Sequence, residues 1–408
     1  MNVADSDTIH QLLSQRGFVL TDSPHDADLI VVNTCSVREN AEKRAKARIA
    51  EFARIKSRRK GQLWVIGCMA QRIGDHLKEE IPGVDRVIGA KQMEQIEAVV
   101  DSIVTSTEAS NSVFQRNTVT DFVAVMRGCN NYCAYCIVPY VRGAEQSIPY
   151  EIIEQSVREK VAGGIKEITF LGQNVNSYSS NDLDFPDMLA RITAVEGLER
   201  IRFTTSHPKD CTEKLIDTMA THPKLCSHIH LPVQAGNDRI LSLMNRKYDS
   251  AHYRKLLDMI KKKLPHADIT TDILVGFPGE SDAEFRDTLS LVKDARFTTA
   301  FMFAYSPREG TKAALMKEEV PEEQKQQRLS ELISLQTEIT RELYEESVGR
   351  ELEVLVSGKQ EKREQAWMGQ DRGCRRVLIA CQGIEAGMIL KVKAVRSSGM
   401  TLIGERIS

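Results

Sequence analysis

The sequence lacks long hydrophobic runs, a strong net charge and internal repeats. Its apolar runs, such as those at 29–32 and 63–66, are far shorter than the roughly 20 apolar residues that cross a bilayer. The polar, acidic N-terminus matches neither a secretory signal nor a transit peptide, so we expect a cytoplasmic protein. A net charge of −2 argues neither for nor against nucleic acid binding, and any basic surface is therefore local.

Length and cysteine content narrow the class of protein. A chain of 408 residues is too long for one ordinary hydrophobic core, so two or three domains are expected. Nine cysteines in a reducing compartment indicate metal binding or catalysis rather than disulfide bonds.

The first part of the chain alternates strands and helices. Apolar runs predict strands at 28–35, 62–68 and 84–89, and a helical stretch covers about 39–60. This alternation is typical of an α/β domain with a parallel sheet, which we assign to residues 1–112. The stretch 105–118 is rich in Ser, Thr and Asn and is predicted to be a linker.

The alternation resumes in the central part, residues 113–345. Helical patterns separate most of its predicted strands, which favours a full or partial TIM-like barrel, and one long polar helix is predicted for 321–347. The predicted strands are 166–171, 200–204, 227–231, 268–275 and 298–303. In the tail, residues 346–408, short strands separated by glycines predict a small antiparallel β-barrel, at 352–356, 377–380, 389–393 and 401–403.

Cys129, Cys133 and Cys136 form a C-x3-C-x2-C pattern, which is the most informative feature of the chain. Three thiolates on one loop can hold a 4Fe–4S cluster and leave one iron open for a small molecule. Tyr135, directly before the third cysteine, can pack against a bound purine. A structural zinc site normally has four ligands in two pairs, and no second pair lies nearby in the sequence. Three unligated buried cysteines are the remaining alternative.

Cys35 and Cys68 each end a predicted parallel strand. The carboxyl ends of parallel strands meet at one edge of a sheet, where ligands bind, so the two thiols are expected to face one crevice. A lone cysteine is usually a small buried apolar residue, but two in matched positions favour metal ligation.

Seven segments between residues 1 and 248 carry a family pattern: MNVADSD at 1–7, NTCSVR at 33–38, GCMAQR at 67–72, RGCNNYCAYCIVP at 127–139, LGQNVNSY at 171–178, TSHPK at 205–209 and MNRKY at 244–248. Together they resemble the radical S-adenosylmethionine (SAM) methylthiotransferases, and the match is closest to the branch that acts on isopentenylated adenosine in tRNA.

The resemblance implies a radical SAM domain in the centre, a second 4Fe–4S cluster in the first domain and a tRNA-gripping TRAM domain in the tail. The implied reaction transfers a methylthio group to C2 of N6-isopentenyladenosine beside the anticodon. SAM serves twice, as methyl donor and as radical source, and sulfur arrives through the second cluster. The implied partners are the tRNA anticodon stem-loop and an electron donor such as a flavodoxin or ferredoxin, and we expect a monomer.

The chain departs from the family pattern in three places. The family places a third ligand of the second cluster, beside Cys35 and Cys68, in a Y-G-C-Q segment just before M-N-V-A-D-S, whereas this chain begins at Met1 of that segment. We therefore expect Met1 to be an internal methionine of a longer protein. Residues 142–148 read RGAEQSI instead of R-G-R-E-R-S-R, which loses three basic positions, and 231–237 carry a mild change to LPVQAGN.

Polar residues follow several predicted strands, where the catalytic groups of TIM-like barrels lie. We predict SAM contacts from Gln173, Ser206, Gln234 and Asp272. Further candidates are Asn174, His207 and the loop 276–280, and a satisfied polar residue at a loop start is the alternative for each. No residue is assigned as a general acid or base, because the hydrogen acceptor of the implied mechanism derives from SAM.

Two basic stretches are candidate tRNA contacts. Residues 38–60 carry ten Lys and Arg against three Glu, for which a solvated helix face is the usual explanation. In the tail we predict tRNA contacts from Arg372, Arg375 and Arg376.

Two other functions stay open at this stage. One is a sibling methylthiotransferase that acts on threonylcarbamoyl-adenosine in tRNA or on an aspartate of a ribosomal protein. The other is an iron–sulfur RNA-binding protein that no longer catalyses, which the absent third cysteine and the lost basic positions would explain.

Overall fold

The structure is a computed structural model that describes residues 1–36, 39–58, 61–101, 118–317, 320–360 and 366–407. The predicted linker at 105–118 falls almost wholly outside these residues. No helix within them is both long and apolar enough to cross a membrane.

Three parallel strands form the N-terminal sheet, in the order β1 (Leu29–Thr34), β2 (Gln62–Gly67) and β3 (Arg86–Gly89), as the sequence predicted. The central strand β2 is buried on both faces because four successive apolar residues alternate between two cores, Leu63 and Val65 in one and Trp64 and Ile66 in the other. The surrounding helices are α1 (Asn2–Ser14), α2 (Glu39–Lys56), α3 (Cys68–Ile73), α4 (His76–Glu80) and α5 (Ile96–Asp101), with a 3-10 helix at Ala90–Gln95.

The central barrel consists of two parallel three-stranded sheets, so the predicted TIM-like barrel is partial in the part of the chain that the structure describes. Its strands run in the orders β10–β7–β4 and β11–β12–β13. Backbone hydrogen bonds between Ile201 and the segment 224–226 join the two sheets. The strands are β4 (Thr120–Ala124), β7 (Glu167–Leu171), β10 (Arg200–Phe203), β11 (His228–His230), β12 (Asp268–Val275) and β13 (Thr299–Ala304), and two small hairpins add β5 (Met126–Arg127) with β6 (Gln146–Ser147) and β8 (Ser179–Ser180) with β9 (Leu183–Asp184).

Helices cover the outside of the central barrel. Alternate strand residues such as Ile168, Phe170, Ile201 and Phe203 pack outward into one large core, which leaves the intervening residues to line the inside. The helices are α6 (Val138–Arg142), α7 (Tyr150–Ala162), α8 (Phe185–Ile192), α9 (Glu213–Thr221), α10 (Asp238–Leu243), α11 (Ser250–Lys263), α12 (Asp282–Ala295) and α13 (Glu322–Glu345), with 3-10 helices at Val175–Ser177, Pro208–Asp210 and Ala313–Leu315.

Five strands close the tail barrel in the order β14–β15–β16–β18–β17. The prediction of a purely antiparallel barrel is wrong for one pair, since β16 and β18 are parallel. Strand β17 pairs with β14, so β18 enters between β16 and β17 and closes the barrel in the parallel direction. The strands are β14 (Glu351–Lys359), β15 (Ala366–Asp371), β16 (Arg376–Ala380), β17 (Ile389–Ser397) and β18 (Thr401–Arg406), of which β15 was not predicted.

The turn between β15 and β16 docks against the amino ends of the central strands. Arg202 at β10 donates to the carbonyl oxygens of Asp371 and Arg372 at 2.6 and 2.9 Å. Arg375 Nη2 reaches back to Asp268 Oδ1 at the start of β12, at 2.5 Å. The tail barrel thus closes the floor of the central barrel through buried charged groups, and the opposite, carboxyl edge of the strands is left for the site.

Candidate active site

The three-cysteine loop lies between β5 and α6, beyond the carboxyl end of β4. Gly128 adopts φ +74°, and a side-chain carbon there would lie 2.0 Å from the carbonyl oxygen of Ala144, so glycine is required directly before Cys129. The backbone N–H of Cys136 donates to the carbonyl of Cys133 at 3.0 Å, which turns the second half of the loop. The backbone of the three-cysteine loop is therefore constrained at Gly128 and between Cys133 and Cys136.

Burial and a buried arginine determine the electrostatics of this loop. Burial raises the pKa of Cys129 and raises that of Cys136 to about 12, so these thiols need a positive partner to act as thiolates. Arg246, itself buried, donates from Nη1 to Cys133 Sγ at 3.3 Å and from Nε to the hydroxyl of Tyr248 at 3.0 Å. Three thiols on one loop with a hydrogen bond to a sulfur fit the ligand set of an iron–sulfur cluster.

No three His, Cys, Asp or Glu side chains among the described residues are grouped closely enough to hold a single metal ion.

Tyr135 lies at the mouth of the central barrel, packed against an apolar cluster that includes Leu274 and Phe277. Tyr248 and Phe303 pack against the same cluster. The contact of Tyr135 with a bound purine stays a prediction.

Buried polar atoms without a partner among the described residues follow β7 and β10. They are Gln173 Oε1, Asn174 Oδ1, Ser206 Oγ and His207 Nε2. Gln173 and Ser206 are two of the predicted SAM contacts, and the structure brings their loops together. Because buried polar atoms are normally hydrogen-bonded, four of them on adjoining loops indicate a ligand site.

The other two predicted SAM contacts also lie side by side. Gln234, at φ +72°, donates its backbone N–H to the carbonyl of Asp272 at 2.8 Å and accepts from the N–H of Leu274 at 2.9 Å. The Asp272 carboxylate is partly exposed and stands 3.5 Å from His230 Nε2. Gln173, Ser206 and Gln234 therefore follow strands at the carboxyl edge of the central barrel, whereas Asp272 lies within β12, three residues before its end. Contact of any of the four with SAM stays a prediction.

Cys35 and Cys68 lie side by side at the edge of the N-terminal sheet. The register pairs Thr34 with Gly67, so each cysteine is the next residue beyond a paired position. Gly67 adopts φ +96°, and a side-chain carbon there would lie 2.5 Å from the carbonyl oxygen of Thr34. Burial raises the pKa of Cys68, while a hydrogen bond from Arg142 opposes that rise. Ligation by these two thiols stays a prediction.

The two cysteine sites adjoin each other. Cys68 packs in one buried cluster with Ile137 and Val141, which directly follow the three-cysteine loop. Asp5 of α1 accepts from Arg142 at 3.0 Å and from Arg127 at 2.7 Å, and its own side chain is 2% exposed. The N-terminal segment and both ends of the three-cysteine loop are thus held by one buried carboxylate.

Three of these residues were not predicted as site residues: Asp5, Arg142 and Arg246. Asp5 and Arg246 lie within segments that carry the family resemblance, and Arg142 begins the segment 142–148 that departs from it, but the role of each depends on contacts across more than a hundred positions of sequence. A pattern read within short windows could not reveal them.

Of the three tail arginines, two are engaged within the protein. Arg375 pairs with Asp268 across the floor of the central barrel, and Arg372 donates to the carbonyl oxygens of Pro223 and Leu225. Arg376, at the start of β16, is exposed. The prediction of a tRNA contact in the tail therefore rests on Arg376.

Several cations of helix α2 have acidic partners within the protein. Lys46 pairs with Glu80 at 2.7 Å, Arg48 with Glu51 at 2.6 Å, and Lys56 pairs with Asp85. These pairs favour a solvated helix face over a free phosphate-binding surface for those three residues. Arg38, Arg59 and Lys60 of the same basic stretch lie outside the described residues.

The chain matches two family models, the Radical SAM superfamily over residues 123–292 and the Uncharacterized protein family UPF0004 over residues 1–89. A radical SAM methyltransferase, TsrM from Kitasatospora setae, shares the fold with a TM-score of 0.57 at 13% identity, over 77% of this chain and 69% of that one.

Curated relatives cover nearly the full length of this chain. Proteins named tRNA-2-methylthio-N(6)-dimethylallyladenosine synthase are 39% identical in Clostridium botulinum and 41% in Geobacter sulfurreducens, each over 100% of this chain and 95% of the relative. The protein of that name from Carboxydothermus hydrogenoformans is 41% identical over 96% of this chain and 94% of its own length. The chain therefore belongs to the radical SAM family of tRNA-2-methylthio-N(6)-dimethylallyladenosine synthases.

Proposed function

We propose that this protein transfers a methylthio group to C2 of N6-dimethylallyladenosine beside the anticodon of tRNA. The observation that carries the proposal is the contact between the two cysteine sites, with Cys68 packed on the helix that follows Cys136 and with Asp5 bound to Arg127 and Arg142. Two thiol sites so close suit a reaction in which a radical and a sulfur must meet at one carbon. The names of the full-length relatives supply the substrate.

The first cofactor site consists of Cys129, Cys133 and Cys136. These three thiols would hold a 4Fe–4S cluster, which when bound would supply one-electron reductive cleavage of SAM. Arg246 orients the Cys133 sulfur and offsets its charge, because its guanidinium is buried against that atom at 3.3 Å. Tyr135 closes the apolar side of the same mouth.

A second 4Fe–4S cluster is proposed on Cys35 and Cys68, with sulfur delivered there and SAM also used as the methyl donor. Two thiolates leave a third position to fill. The family resemblance places this third ligand in a Y-G-C-Q segment ahead of the MNVADSD segment. The amino group of Met1 interacts electrostatically with Asp5 and, more weakly, with Cys35.

The remaining parts suit a tRNA substrate. We propose residues 1–112, 113–345 and 346–408 as the three domains, the last a TRAM domain that meets the anticodon stem-loop through Arg376. The tail barrel is fixed to the central barrel by the buried pair of Arg375 with Asp268 and by a bond from buried Arg200 to Glu353, so RNA held by one barrel is positioned for the other. A cytoplasmic monomer supplied with electrons by a flavodoxin or ferredoxin completes the proposal.

Iron content and SAM cleavage test the first site. Anaerobically reconstituted protein should bind about four irons at the three-cysteine loop, and Cys136→Ala should lose both that iron and SAM cleavage. Cys381→Ala is the matched control, because Cys381 lies in the tail barrel away from both sites. A Cys136→Ala protein that kept its iron and cleaved SAM at the control rate would overturn the assignment.

Adding a cysteine ahead of Met1 tests the second site. A chain extended by the Y-G-C-Q segment should bind about one more cluster than the present chain. An unchanged iron count would argue against the second cluster and in favour of an RNA-binding protein that does not insert sulfur.

A further inference from the structure

Two partly exposed tyrosines meet on the segment that carries the three cysteines. They are Tyr132, between Cys129 and Cys133, and Tyr140, in helix α6, and they are called the tyrosine pair. Their rings meet edge to face, with 5.9 Å between centroids and 83° between planes. Tyr132 is 43% exposed and Tyr140 is 40% exposed. Folding therefore leaves an adjoining pair of aromatic rings in contact with water, and exposed apolar patches of this kind mark interaction sites.

The backbone holds Tyr132 in a strained conformation. Its φ is +47°, in the left-handed region that a bulky residue seldom occupies. Asn245 fixes this turn, because its Nδ2 donates to the carbonyl of Tyr132 at 2.8 Å and to that of Asn131 at 3.3 Å. On the other side, Asn130 Oδ1 accepts from the N–H of Glu145 at 3.1 Å. The surrounding contacts thus over-determine the turn, which is how strained residues persist at functional sites.

The tyrosine pair lies on the segment that connects the two cysteine sites. Tyr132 is inside the three-cysteine loop, at the first site. Ile137 and Val141, on either side of Tyr140 in the sequence, pack in one cluster with Cys68 of the second site. A carbon that reacts with groups held at both sites must lie between them, so the nucleotides next to that carbon in the RNA pass near the tyrosine pair.

Two exposed lysines lie beside the tyrosine pair. Lys247 donates from Nζ to Asn245 Oδ1 at 2.6 Å, on the amide that fixes the Tyr132 turn. Lys91 lies beside Gly143, which directly follows α6, because a side-chain carbon at Gly143 would lie 3.8 Å from Lys91 Cε. Aromatic rings with cations beside them are typical of surfaces that bind single-stranded RNA, where the rings stack on bases and the cations meet phosphates.

The anticodon loop of tRNA is single-stranded, and its unpaired bases can stack on aromatic side chains. We propose that the tyrosine pair stacks on the base of a nucleotide adjacent to the modified adenosine, with Lys247 and Lys91 close to the neighbouring phosphates. The inference rests on the proposed function, since that function supplies the RNA. Stacking needs a π face but no particular base edge, so the tyrosine pair orients the loop and leaves the choice of base to other contacts.

RNA binding tests the tyrosine pair without turnover. The anaerobically reconstituted full chain is titrated with a stem-loop RNA that carries dimethylallyladenosine and, next to it on one side or the other, the fluorescent adenine analogue 2-aminopurine. Tyr132→Leu and Tyr140→Leu remove a π face and keep an apolar side chain, whereas Tyr132→Phe and Tyr140→Phe keep the ring. Lys262→Ala is the control for Lys247→Ala, because Lys262 is an exposed lysine in the last turn of α11.

Each leucine variant should weaken RNA binding about tenfold and should raise the emission of the bound analogue, because stacking on an aromatic ring quenches it. The phenylalanine variants should bind as the parent does. Lys247→Ala should weaken binding and lower the salt dependence of log K, while Lys262→Ala should change neither. Leucine variants that keep the parent's affinity and emission, at matched iron content, would overturn the proposal.

A second probe, flavodoxin, separates RNA from the electron donor, which also has to approach the three-cysteine loop. Leucine variants that lose flavodoxin binding while RNA binding is unchanged would overturn the RNA assignment and give this surface to the electron donor. Leucine variants that lose RNA binding support the tyrosine pair even when the parent forms no methylthio product, in which case the proposed function alone fails.

The parent protein decides the matter if the leucine variants do not fold. When the parent binds the RNA, emission should fall for the analogue beside dimethylallyladenosine and stay constant for an analogue at the far end of the stem. Emission that stays constant on both sides of dimethylallyladenosine, although the RNA is bound, contradicts stacking on the tyrosine pair.

Discussion

Replacing Arg375 with alanine should detach the tail barrel from the floor of the central barrel. The guanidinium is 12% exposed, and its partner Asp268 is 4% exposed, with 2.5 Å between Arg375 Nη2 and Asp268 Oδ1. Arg375→Ala would leave that carboxylate buried with only the hydroxyl of Thr298 as a donor, at 2.7 Å. The variant therefore removes the cation, while the Asp268 carboxylate stays buried.

The cost follows from leaving one charge of a buried pair without its partner. Such truncations cost about 3–5 kcal/mol, and we expect about 3 kcal/mol because Asp268 can take up a proton instead of staying charged. For a barrel of this size, at roughly 4 °C per kcal/mol, the midpoint of unfolding of the tail should fall by about 12 °C. The effect should shrink at pH 5.5, since burial raises the pKa of Asp268 to about 7 and the carboxyl is then already protonated.

Tryptophan fluorescence reports this transition through one of the chain's two tryptophans. Trp367 lies in β15 of the tail barrel and Trp64 in the N-terminal sheet, and the chain has no other tryptophan. Arg376→Ala is the matched control, because Arg376 directly follows Arg375 and is exposed. This variant should change stability by less than about 0.5 kcal/mol. A midpoint that Arg375→Ala lowers no further than Arg376→Ala does would refute the buried contact.

Further predictions concern tRNA binding, backbone strain, the reduction potential of the cluster and the pH dependence of stability. Arg376→Ala should weaken binding of the tRNA and reduce the salt slope of log K by about one, as measured by filter binding at several salt concentrations, and an unaltered slope would exclude it from the interface. Gly67→Ala should destabilise the N-terminal sheet by about 1–3 kcal/mol in urea unfolding, because φ is +96° and the added carbon would meet Thr34; no change would contradict the strain. Arg246→Met should lower the reduction potential of the reconstituted cluster in a spectroscopic titration, since a hydrogen bond to a ligand sulfur is lost. Asp268→Asn should flatten the pH dependence of stability. The pKa of Asp268 in the folded protein lies above its ordinary value of 3.8, so the folded protein binds a proton on this carboxyl that the unfolded chain has released. The parent therefore loses stability as pH rises from about 4 to about 7.

The sequence predicted what depends on short-range patterns. Runs of Val, Ile and Leu predicted β1 and β2, and the positions of Cys35 and Cys68 after them predicted that the two thiols share an edge. The cysteine spacing predicted the three-cysteine loop for the same reason. The carboxyl-edge position of Gln173 and Ser206 followed from the rule that parallel barrels carry their sites there.

Contacts between segments that are far apart in the sequence could not be predicted from local patterns. Arg375 was predicted to meet tRNA as part of a basic triplet, but its partner Asp268 lies 107 positions away and decides that it faces inward. Strand β18 enters the tail barrel beside β16 because closure requires it, which no local pattern encodes. Asp5 joins the two cysteine sites for the same kind of reason, through arginines more than 120 positions away.

The most direct test of the account is nucleoside mass spectrometry of tRNA that carries dimethylallyladenosine, incubated with the reconstituted protein, SAM and a reductant. The account predicts a new nucleoside whose mass corresponds to 2-methylthio-dimethylallyladenosine, formed together with 5′-deoxyadenosine. Formation of 5′-deoxyadenosine while dimethylallyladenosine remains unmodified, in protein carrying both clusters, would contradict the proposed function.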